Sequence, residues 1–386
     1  MAILSKYSYV LALNAGSATL KWALFTRPGL REVGRGAVER IGARGSTARW
    51  RLGSSVGRQQ FACPTHLVAL AHIIKVFKQR GINLAQVKQV GHRLVHGGSA
   101  FQTATTLTPR VMNQLKAYSS LAPLHNPVQL ELARVAAKLL PQARQVAVFD
   151  TTWYRNLPDQ ARAYALPQAL VKKYHLRRYG FHGLSHDYVS GEAARQLGRP
   201  LGRLNLITCH LGSGSSITAV QDGRPIDTSM GFTPLEGLVM DTRPGDLDPG
   251  LLMYLLTEQG VRPSALLKFL NHESGLKGVA GVADMREVLT RAGWKVPGFK
   301  PVGKVKPADR QRARLALNIF LYRLQKYLGA YAAVLGRVDA IVFTGGIGER
   351  SPLVRKLTMA GLPTLRRVRR LVIPTNEELI IARQAA

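Results

Sequence analysis

Two segments of this chain share the pattern of an apolar run, a turn of small residues and a second apolar run. The first is YVLALNAGSATLKWALF at residues 9–25, and the second is NLITCHLGSGSSITAVQDG at residues 205–223. Apolar runs joined by a short Gly/Ser turn are typical of β-hairpins. With Gly16 set against Gly214, the patterns lie 198 residues apart in a chain of 386 residues. This spacing predicts a duplicated domain.

The rest of the chain alternates helical and strand patterns, which indicates an α/β fold. Residues 66–80 predict a helix, and QVAVFD at 145–150 predicts a strand. A long amphipathic helix is predicted over residues 308–335, before the strand DAIVF. Its apolar face comprises Leu317, Phe320, Leu321, Leu324, Leu328 and Tyr331. The three prolines within residues 291–307 predict a surface loop there.

The composition is that of a globular protein with room for two domains. Apolar residues make up 46% of the chain and charged residues 20%, which argues against disorder and coiled coil. The apolar runs are shorter than the ~20 residues of a membrane span, and the N-terminus lacks a signal-peptide pattern. We therefore expect a cytoplasmic protein without a membrane partner. Cys63 and Cys209 are too few for a disulfide framework.

The net charge of +32 is unusually high and raises the possibility of nucleic-acid binding. However, the basic residues are scattered along the chain and accompany no known nucleic-acid-binding motif. From the charge we expect nonspecific binding of polyanions, with an affinity that falls steeply as the salt concentration rises.

Both hairpin turns carry small residues whose backbone could approach a phosphate group closely. A third glycine-rich turn is predicted at FTGGIGE, residues 343–349, again after an apolar strand. The segment GFKPVGKV at 298–305 is not a P-loop, since Val305 replaces the required hydroxyl residue. The pair His92 and His96 has zincin spacing but lacks the glutamate between the histidines, so it does not predict a metal site.

Several phrases together resemble one family, the acetate and propionate kinases of the sugar kinase, Hsp70 and actin superfamily. They follow the family's order from end to end: NAGSATLK (14–21), GHRLVHGG (91–98), LHNP (124–127), FDTTWY (149–154), RRYGFHGLSH (177–186), HLGSGSS (210–216), MGFTPLEGLVMDTRPGDLDPG (230–250), FTGGIGE (343–349) and IPTNEEL (373–379). Each phrase is weak alone, but the collinear set is specific.

The resemblance implies reversible transfer of the γ-phosphoryl group of ATP to a small carboxylate, giving an acyl phosphate and ADP. Two anions must meet, so cationic donors and placement dominate the chemistry. By resemblance the catalytic residues are Arg93, Asp150, His182 and Arg243. Asp150 is expected to orient substrate or metal, because a carboxylate nucleophile needs no general base. His125 is expected to support the site, with core packing as an equal alternative.

The resemblance also implies the binding residues. Asn14 and Glu377 match the ligands of Mg2+ (or Mn2+), with Glu378 expected not to substitute for Glu377. The acyl pocket comprises Arg93, Val95, Leu124, Phe181 and Pro234, with core packing as the rival interpretation for the apolar residues. The ATP/ADP contacts comprise Ser17, Thr19, Lys21, His210, Leu211, Gly212, Ser213, Gly214, Asp284, Met285, Arg286, Gly346, Ile347, Gly348, Glu349 and Arg350.

Four positions depart from the family pattern and bear on nucleotide binding. Ser213 stands where Asn is usual, Ala18 replaces a serine, Asp241 replaces a glycine, and Arg350 replaces an Asn. None of these changes removes an expected catalytic residue.

The fold implied by the resemblance is a pair of duplicated ribonuclease-H-like (actin-like ATPase) domains with an interdomain cleft. The N-terminal domain is expected to comprise residues 1–149 plus 373–386, and the C-terminal, nucleotide-binding domain residues 150–372. A homodimer formed through the second domain is also implied. Two alternatives remain open at this point: a kinase for a larger acid such as butyrate, and a polyanion-binding protein on a kinase scaffold.

Overall fold

The computed structural model describes residues 7–16, 18–122 and 125–386. The chain divides into two compact units. The first extends to Arg155 and also includes Asn376–Ala386, and the second comprises Asn156–Thr375.

The strands are numbered in chain order. They are β1 (Ser8–Ala15), β2 (Thr19–Arg27), β3 (Glu32–Glu39), β4 (Thr47–Leu52), β5 (Ser55–Gln60), β6 (Val87–Leu94), β7 (Thr105–Thr106), β8 (Arg144–Phe149), β9 (Leu206–Leu211), β10 (Ser215–Gln221), β11 (Arg224–Thr228), β12 (Ala340–Thr344) and β13 (Arg369–Val372). Both predicted hairpins are confirmed, as β1–β2 and β9–β10, with antiparallel pairing in each.

The helices are numbered in the same way. They are α1 (His66–Gln79), α2 (Pro109–Ala117), α3 (Asn126–Leu139), α4 (Asp159–Arg162), α5 (Gln168–Tyr174), α6 (Gly183–Leu197), α7 (Pro249–Thr257), α8 (Pro263–Lys268), α9 (Gly275–Ala280), α10 (Met285–Arg291), α11 (Pro307–Leu335), α12 (Gly345–Arg350), α13 (Pro352–Ala360) and α14 (Glu377–Ala385). Within the described ranges, no helix is both long and apolar enough to cross a bilayer.

The two sheets have the same central arrangement. In the described residues of the first unit the strand order is β5-β4-β3-β2-β1-β6-β8-β7, and in the second it is β11-β10-β9-β12-β13. In each sheet the strand that comes first in the chain, β1 or β9, has an antiparallel meander on one side. On its other side it pairs in parallel with a later strand, β1 with β6 and β9 with β12. The common topology explains the repeat in the sequence as a duplicated α/β unit.

Helices cover the first sheet where the sequence predicts apolar faces. The buried side of α1, including Leu70, Ile73 and Phe77, shares one core with β1 and β2. Helix α14 lies against β1, β2, β6 and β8. Its approach requires Gly91, because a β-carbon there would lie 2.6 Å from Ile381 Cγ2. The chain end is therefore part of the first unit, beside the strands that carry Asn14 and Arg93.

The second core lies between its sheet and the long helix α11. The six apolar residues predicted to share one face of that helix are all buried in this core. Residues 292–306 form neither helix nor strand, as their prolines predict. The prediction of a turn at FTGGIGE was wrong in part. Gly345 does have a positive φ of 75°, but residues Gly345–Arg350 form the helix α12, because the Glu349 carboxylate accepts a hydrogen bond from Gly345 N (2.9 Å).

Candidate active site

The first unit gathers polar side chains at one edge of its sheet. Asn14 lies near the end of β1, Arg93 near the end of β6, and Asp150 directly after β8. These three strands run parallel to one another, β1 beside β6 and β6 beside β8. The carboxyl ends of parallel strands meet at one edge of a sheet, where ligands of α/β proteins commonly bind. Glu377 and Glu378 reach the same group from the first turn of α14.

Arg93 is the centre of this first cluster. Its Nε and Nη2 donate to Asp150 Oδ1 and Oδ2 at 2.9 and 2.6 Å, a bidentate ion pair. Its Nη1 donates to Asn14 Oδ1 at 2.9 Å and lies 3.5 Å from Glu377 Oε2. The planar guanidinium suits this two-pronged contact, which a lysine could not reproduce. Arg93 is thus held rigidly by both neighbouring strands.

Asn14 links Arg93 to both glutamates of α14. Its Nδ2 donates to Glu377 Oε2 at 2.7 Å and to Glu378 Oε1 at 3.0 Å. The sequence resemblance had set Glu378 aside in favour of Glu377. The structure brings both carboxylates to Asn14, so Glu378 is a member of the cluster that sequence reasoning missed.

The first cluster carries an excess of buried negative charge. Asp150, Glu377 and Glu378 are 1%, 7% and 9% exposed, and among the described residues the cation shown to pair with Asp150 and Glu377 is Arg93. Burial by itself lowers the pKa of Arg93, but the attraction of Asp150, Glu377 and Glu378 outweighs it and holds that pKa above its ordinary value. Arg93 therefore stays charged, and the cluster favours a further cation.

The oxygen atoms of the first cluster fit a hard divalent cation such as Mg2+. Carboxylate and amide oxygens are the protein ligands that Mg2+ prefers, and it usually keeps several waters and phosphate oxygens. Within the described ranges, no group of three or more His, Cys, Asp or Glu side chains is arranged to hold a metal by itself. A Mg2+ ion here would thus be held by Asn14 and Glu377 together with ligands from outside the protein.

The first hairpin places a lysine of β2 opposite this cluster. Lys21 is directly opposite Asn14 in the β1–β2 pair, so both side chains lie on the same face of the sheet. Lys21 is exposed and can reach an anion. The turn is closed by Gly16 N, which donates to Thr19 O at 2.9 Å. The predicted nucleotide contact Ser17 and the predicted pocket residue Leu124 lie outside the described residues.

The second unit positions His182 through a chain of hydrogen bonds. His182 precedes α6 with a left-handed φ of 57°, a strained conformation of the kind that occurs at functional sites. Its Nδ1 lies 2.9 Å from Ser216 Oγ, which also contacts His186 Nε2 at 2.8 Å. His186 Nδ1 continues to Thr208 Oγ1 at 2.7 Å. The ring of His182 is thereby fixed in position and orientation.

His210 supports the other side of His182. The two rings are stacked with centroids 4.5 Å apart and planes at 29°. His210 Nδ1 lies 2.8 Å from Ser185 Oγ, and Ser185 Oγ donates to Thr375 Oγ1 at 2.8 Å. The hydroxyl residues Ser185 and Ser216 were missed as site residues, although both lie inside the motifs that resemble the family.

The glycine loop after β9 approaches both His182 and Arg243. A β-carbon built on Gly214 would lie 2.8 Å from Arg243 Nη2 and 3.1 Å from His182 Nε2. Parallel pairing of β9 with β12 brings a second loop alongside, where a β-carbon on Gly212 would lie 3.7 Å from Gly346 N. Only glycine leaves the backbone exposed so close to a guanidinium and an imidazole. Such a surface suits an anion.

Arg243 is held by backbone contacts of its own segment. Its Nη1 donates to Pro234 O at 2.7 Å. Burial lowers the pKa of Arg243 to about 10, and the nearby Asp241 carboxylate opposes that shift. The guanidinium is still charged at neutral pH, but the attraction of Asp241 offsets only part of the cost of burying that charge. This is the state expected of a cation that awaits an anionic ligand.

The other predicted nucleotide residues have structural contacts of their own. Asp284 caps α10 and pairs with Arg286 (2.5 Å), whose guanidinium stacks over Phe299 at 4.9 Å. Met285 is buried in the core of the unit, with Ile347 packed against that core. The Glu349 carboxylate accepts hydrogen bonds from Gly345 N at 2.9 Å and, from a distant segment, from Thr375 N at 3.2 Å. Arg350 Nε donates to Gly346 O at 3.3 Å, and Gly348 is buried in α12.

The predicted acyl-pocket residues are apolar and well packed. Val95 and Phe181 are 5% and 1% exposed in their units, and Pro234 is half-buried beside Arg243. Val95 N also donates to Gln129 Oε1 at 3.0 Å, which anchors it to α3. Burial of this degree is what the core-packing interpretation expects for Val95 and Phe181. Their role in an acyl pocket stays a prediction.

Comparison with known proteins agrees with these motifs and with the fold. A sequence model of the acetokinase family matches residues 9–366. The acetate kinase of Dictyoglomus turgidum is 41% identical over 402 residues, covering 97% of this chain and 96% of that protein. The acetate kinase of Sulfurovum sp. is 42% identical over 401 residues, covering 97% of each chain.

Solved structures give the same result. The crystal structure of Porphyromonas gingivalis acetate kinase has a TM-score of 0.81 and 36% identity, covering 98% of both chains. A propionate kinase from Francisella tularensis has a TM-score of 0.86 and 34% identity, covering 98% of this chain and 99% of that one. The predicted α/β class of the actin-like ATPase fold is confirmed. The chain belongs to the acetokinase family, whose members are phosphotransferases with a carboxyl group as acceptor.

Proposed function

We propose that this protein transfers the γ-phosphoryl group of ATP to acetate, reversibly, giving acetyl phosphate and ADP. The observation that carries the proposal is the close approach of Arg243, His182 and the glycine loop at Gly214. A guanidinium, an imidazole and exposed backbone are the groups that stabilise charge on a transferring phosphoryl group. The close relatives named acetate kinase support acetate as the acceptor.

The proposed mechanism is electrostatic and requires no general base. Acetate is already ionised at neutral pH, so its oxygen can attack phosphorus directly once the repulsion between the two anions is reduced. Arg243 contributes a rigid fork to the equatorial phosphoryl oxygens. His182 is oriented by Ser216 to donate a hydrogen bond to the same group. In the reverse direction the same contacts stabilise the same transition state.

Arg93 is proposed to hold the acceptor carboxylate. The guanidinium has five N–H donors, and contacts to Asp150 and Asn14 use three of them. Nη1 also faces Glu377 Oε2 at 3.5 Å, so the second N–H of Nη2 is the donor proposed for the acceptor carboxylate. Asp150 then acts by orienting Arg93 rather than by moving a proton. The expectation from the sequence was that Asp150 orients substrate or metal, and the proposal differs in that Asp150 orients the arginine that binds the substrate.

Mg2+ is proposed as the metal ion, with Asn14 and Glu377 as its protein ligands. The hard oxygen donors and the excess of carboxylates around Arg93 support this assignment. When bound, the ion would neutralise charge on the phosphate oxygens of the nucleotide. Glu378 hydrogen-bonds to the same amide nitrogen and is proposed to orient Asn14 so that its carbonyl oxygen keeps its position.

The direct test of the function is product formation from a panel of acids. With ATP, Mg2+ and hydroxylamine, we expect hydroxamate from acetate and also from propionate, because one methylene in an apolar pocket is worth only about 10- to 200-fold in kcat/KM. Butyrate should react least. Absence of product from acetate with folded enzyme would contradict the proposal, and a higher kcat/KM for butyrate would assign the larger acid instead.

We further propose that the protein is a homodimer formed through α7 and α8 of the second unit. The sequence of α7, PGLLMYLLT, is almost entirely apolar, yet none of its residues is buried within the chain. Leu251, Met253 and Tyr254 are 44%, 57% and 51% exposed, and Leu267 and Phe269 near α8 are also exposed. An exposed apolar patch of this kind on a soluble enzyme marks a protein interface.

Light scattering after size exclusion should give twice the chain mass of 42.3 kDa. The double variant Met253→Glu/Tyr254→Glu places two charges on the apolar face and should shift the protein towards the monomer. Val56→Glu is the matched control, since Val56 is apolar and 77% exposed on β5, directly opposite Arg51. A wild-type protein with the mass of a single chain at micromolar concentration would refute this assembly.

A further inference from the structure

The two strand ends that carry Asn14 and Arg93 diverge from each other. The parallel pairing of β1 with β6 runs as far as Leu13 and His92, the residues directly before Asn14 and Arg93. Beyond that point each strand keeps its outer neighbour, β2 for β1 and β8 for β6. The backbone groups that face the gap are buried and therefore need hydrogen-bond partners from another element.

The side-chain amide of Gln129 bridges this gap. Its Oε1 accepts a hydrogen bond from Val95 N at 3.0 Å, and its Nε2 donates to Ala15 O at 2.9 Å. One amide thus makes the donor and acceptor contacts that a backbone peptide group would make in a continued ladder. Gln129 lies on α3 and is 2% exposed. The backbone N–H can only donate and the carbonyl can only accept, so these two partners also fix the orientation of the amide.

A second amide, one turn earlier on α3, anchors the segment after β6. Asn126 is fully buried, accepts a hydrogen bond from His96 N at 3.2 Å and donates one to His96 O at 2.9 Å. Residues three positions apart lie on the same face of a helix, so Asn126 and Gln129 hold neighbouring residues of that segment. Leu132 and Ala136 of α3 are buried in the core shared with β1. The amide of Gln129 therefore projects from a firmly packed helix.

This amide acts from the face of the sheet opposite to the charged cluster. Val90 is buried in the core that includes residues of α3, whereas its neighbour Gly91 faces α14. Because successive residues of a strand point to opposite faces, Arg93 lies on the α14 side with Gly91. The amide contacts the backbone of Ala15 and Val95, so its effect on the charged groups passes through the main chain.

We infer that Gln129 is a positioning residue, which sets the spacing between Asn14 and Arg93 and so aligns the metal ligand with the residue that binds the acceptor carboxylate. The inference rests on the proposed function, because that function gives Asn14 and Arg93 these tasks. Asn14 Oδ1 accepts from Arg93 Nη1 at 2.9 Å, a contact that requires the two strand ends to keep their present separation. Misplacement of a site residue by about 1 Å can cost about 10^2-fold in rate.

The experiment compares Gln129→Met with Gln145→Met. Methionine is about as long as glutamine but cannot replace the amide as donor and acceptor. Gln145 is the matched control, because it is 7% exposed and lies at the start of β8, at the edge of the sheet away from the site. Its amide donates to Ala143 O at 2.9 Å and contacts His92 Nε2 at 2.8 Å. Both variants leave buried polar groups unpaired, so the midpoint of urea unfolding should fall in both.

Only Gln129→Met should weaken binding at the site. The KM for acetate and the Mg2+ concentration for half-maximal activity should each rise about tenfold, whereas Gln145→Met should stay within about twofold of wild type. ADP calorimetry gives a readout that does not depend on activity. In EDTA both variants should bind ADP as the wild type does, and with Mg2+ present the gain in ADP affinity should be smaller for Gln129→Met.

Equal KM values and equal Mg2+ requirements in the two variants would overturn the inference, since Gln129 would then contribute to stability alone. If Gln129→Met does not fold, Gln129→Asn takes its place, with Gln145→Asn as its control. The shorter amide stays polar but cannot span Val95 N and Ala15 O together, so a wild-type KM for acetate in Gln129→Asn would equally overturn the inference. Absence of product from acetate with the wild type would contradict the proposed function itself, and the inference with it.

Discussion

Replacing Arg243 by alanine should lower kcat by about 10^3-fold or more while leaving ADP affinity almost unchanged, the scale of a lost arginine finger. The guanidinium sits beside the glycine loop and His182, where charge develops on the phosphoryl group during transfer. Arg243→Lys should restore little activity, because one ammonium cannot make the planar two-pronged contact. Steady-state kinetics and ADP calorimetry on the same preparations measure both effects.

The stability of the Arg243→Ala variant provides a second readout. Because burial lowers the pKa of Arg243 to about 10, the folded state holds this charge less favourably than the unfolded chain does. Removing it should leave the melting temperature unchanged or slightly higher. Arg224→Ala, an exposed arginine at the start of β11, serves as the control for both measurements. A kcat within a few-fold of wild type, or loss of ADP affinity in proportion to activity, would show that the assignment to the transition state is wrong.

Replacing Arg93 should have the opposite effect on stability, because the carboxylates of Asp150, Glu377 and Glu378 compensate its charge in the folded state. Arg93→Met leaves Asp150, Glu377 and Glu378 buried without their cation, and removing one partner of a buried ion pair costs about 3–5 kcal/mol of unfolding free energy. Activity should fall as well, since the acceptor carboxylate loses its binding group. Urea unfolding monitored by circular dichroism measures the stability loss.

The matched control for Arg93 is Arg134→Met. Arg134 forms a 2.5 Å ion pair with Glu131 on the surface of α3, where the two side chains are 44% and 46% exposed. Exposed pairs of this kind contribute about 0–1 kcal/mol. If both variants lost the same small free energy, Arg93 would not be the centre of a buried ion-pair network.

Local patterns in the sequence were sufficient to predict the secondary structure around the site. Both hairpins, the helices α1 and α11 and the strand β8 were predicted where the structure has them, because hydrophobic periodicity depends on neighbours a few residues apart. The collinear motifs identified the family and named the candidate residues. The prediction of a turn in place of α12 was wrong at the segment where the Glu349 carboxylate accepts a hydrogen bond from Gly345 N. Nonspecific binding of polyanions by the excess of basic residues stays a prediction.

By itself, then, the sequence determined the α/β class, the duplication and the family, since each depends on order along the chain. Only the tertiary structure decided which groups meet. Asn14 contacts Glu377 and Glu378 across more than 360 residues, and Arg93 directs three donors to Asp150 and Asn14. The backbone hydrogen bond from Asp241 N to Ser213 O likewise had no local signal. Such contacts depend on strand order and on the way α9 and α14 pack, and these are set by the burial of the whole core rather than by any short segment.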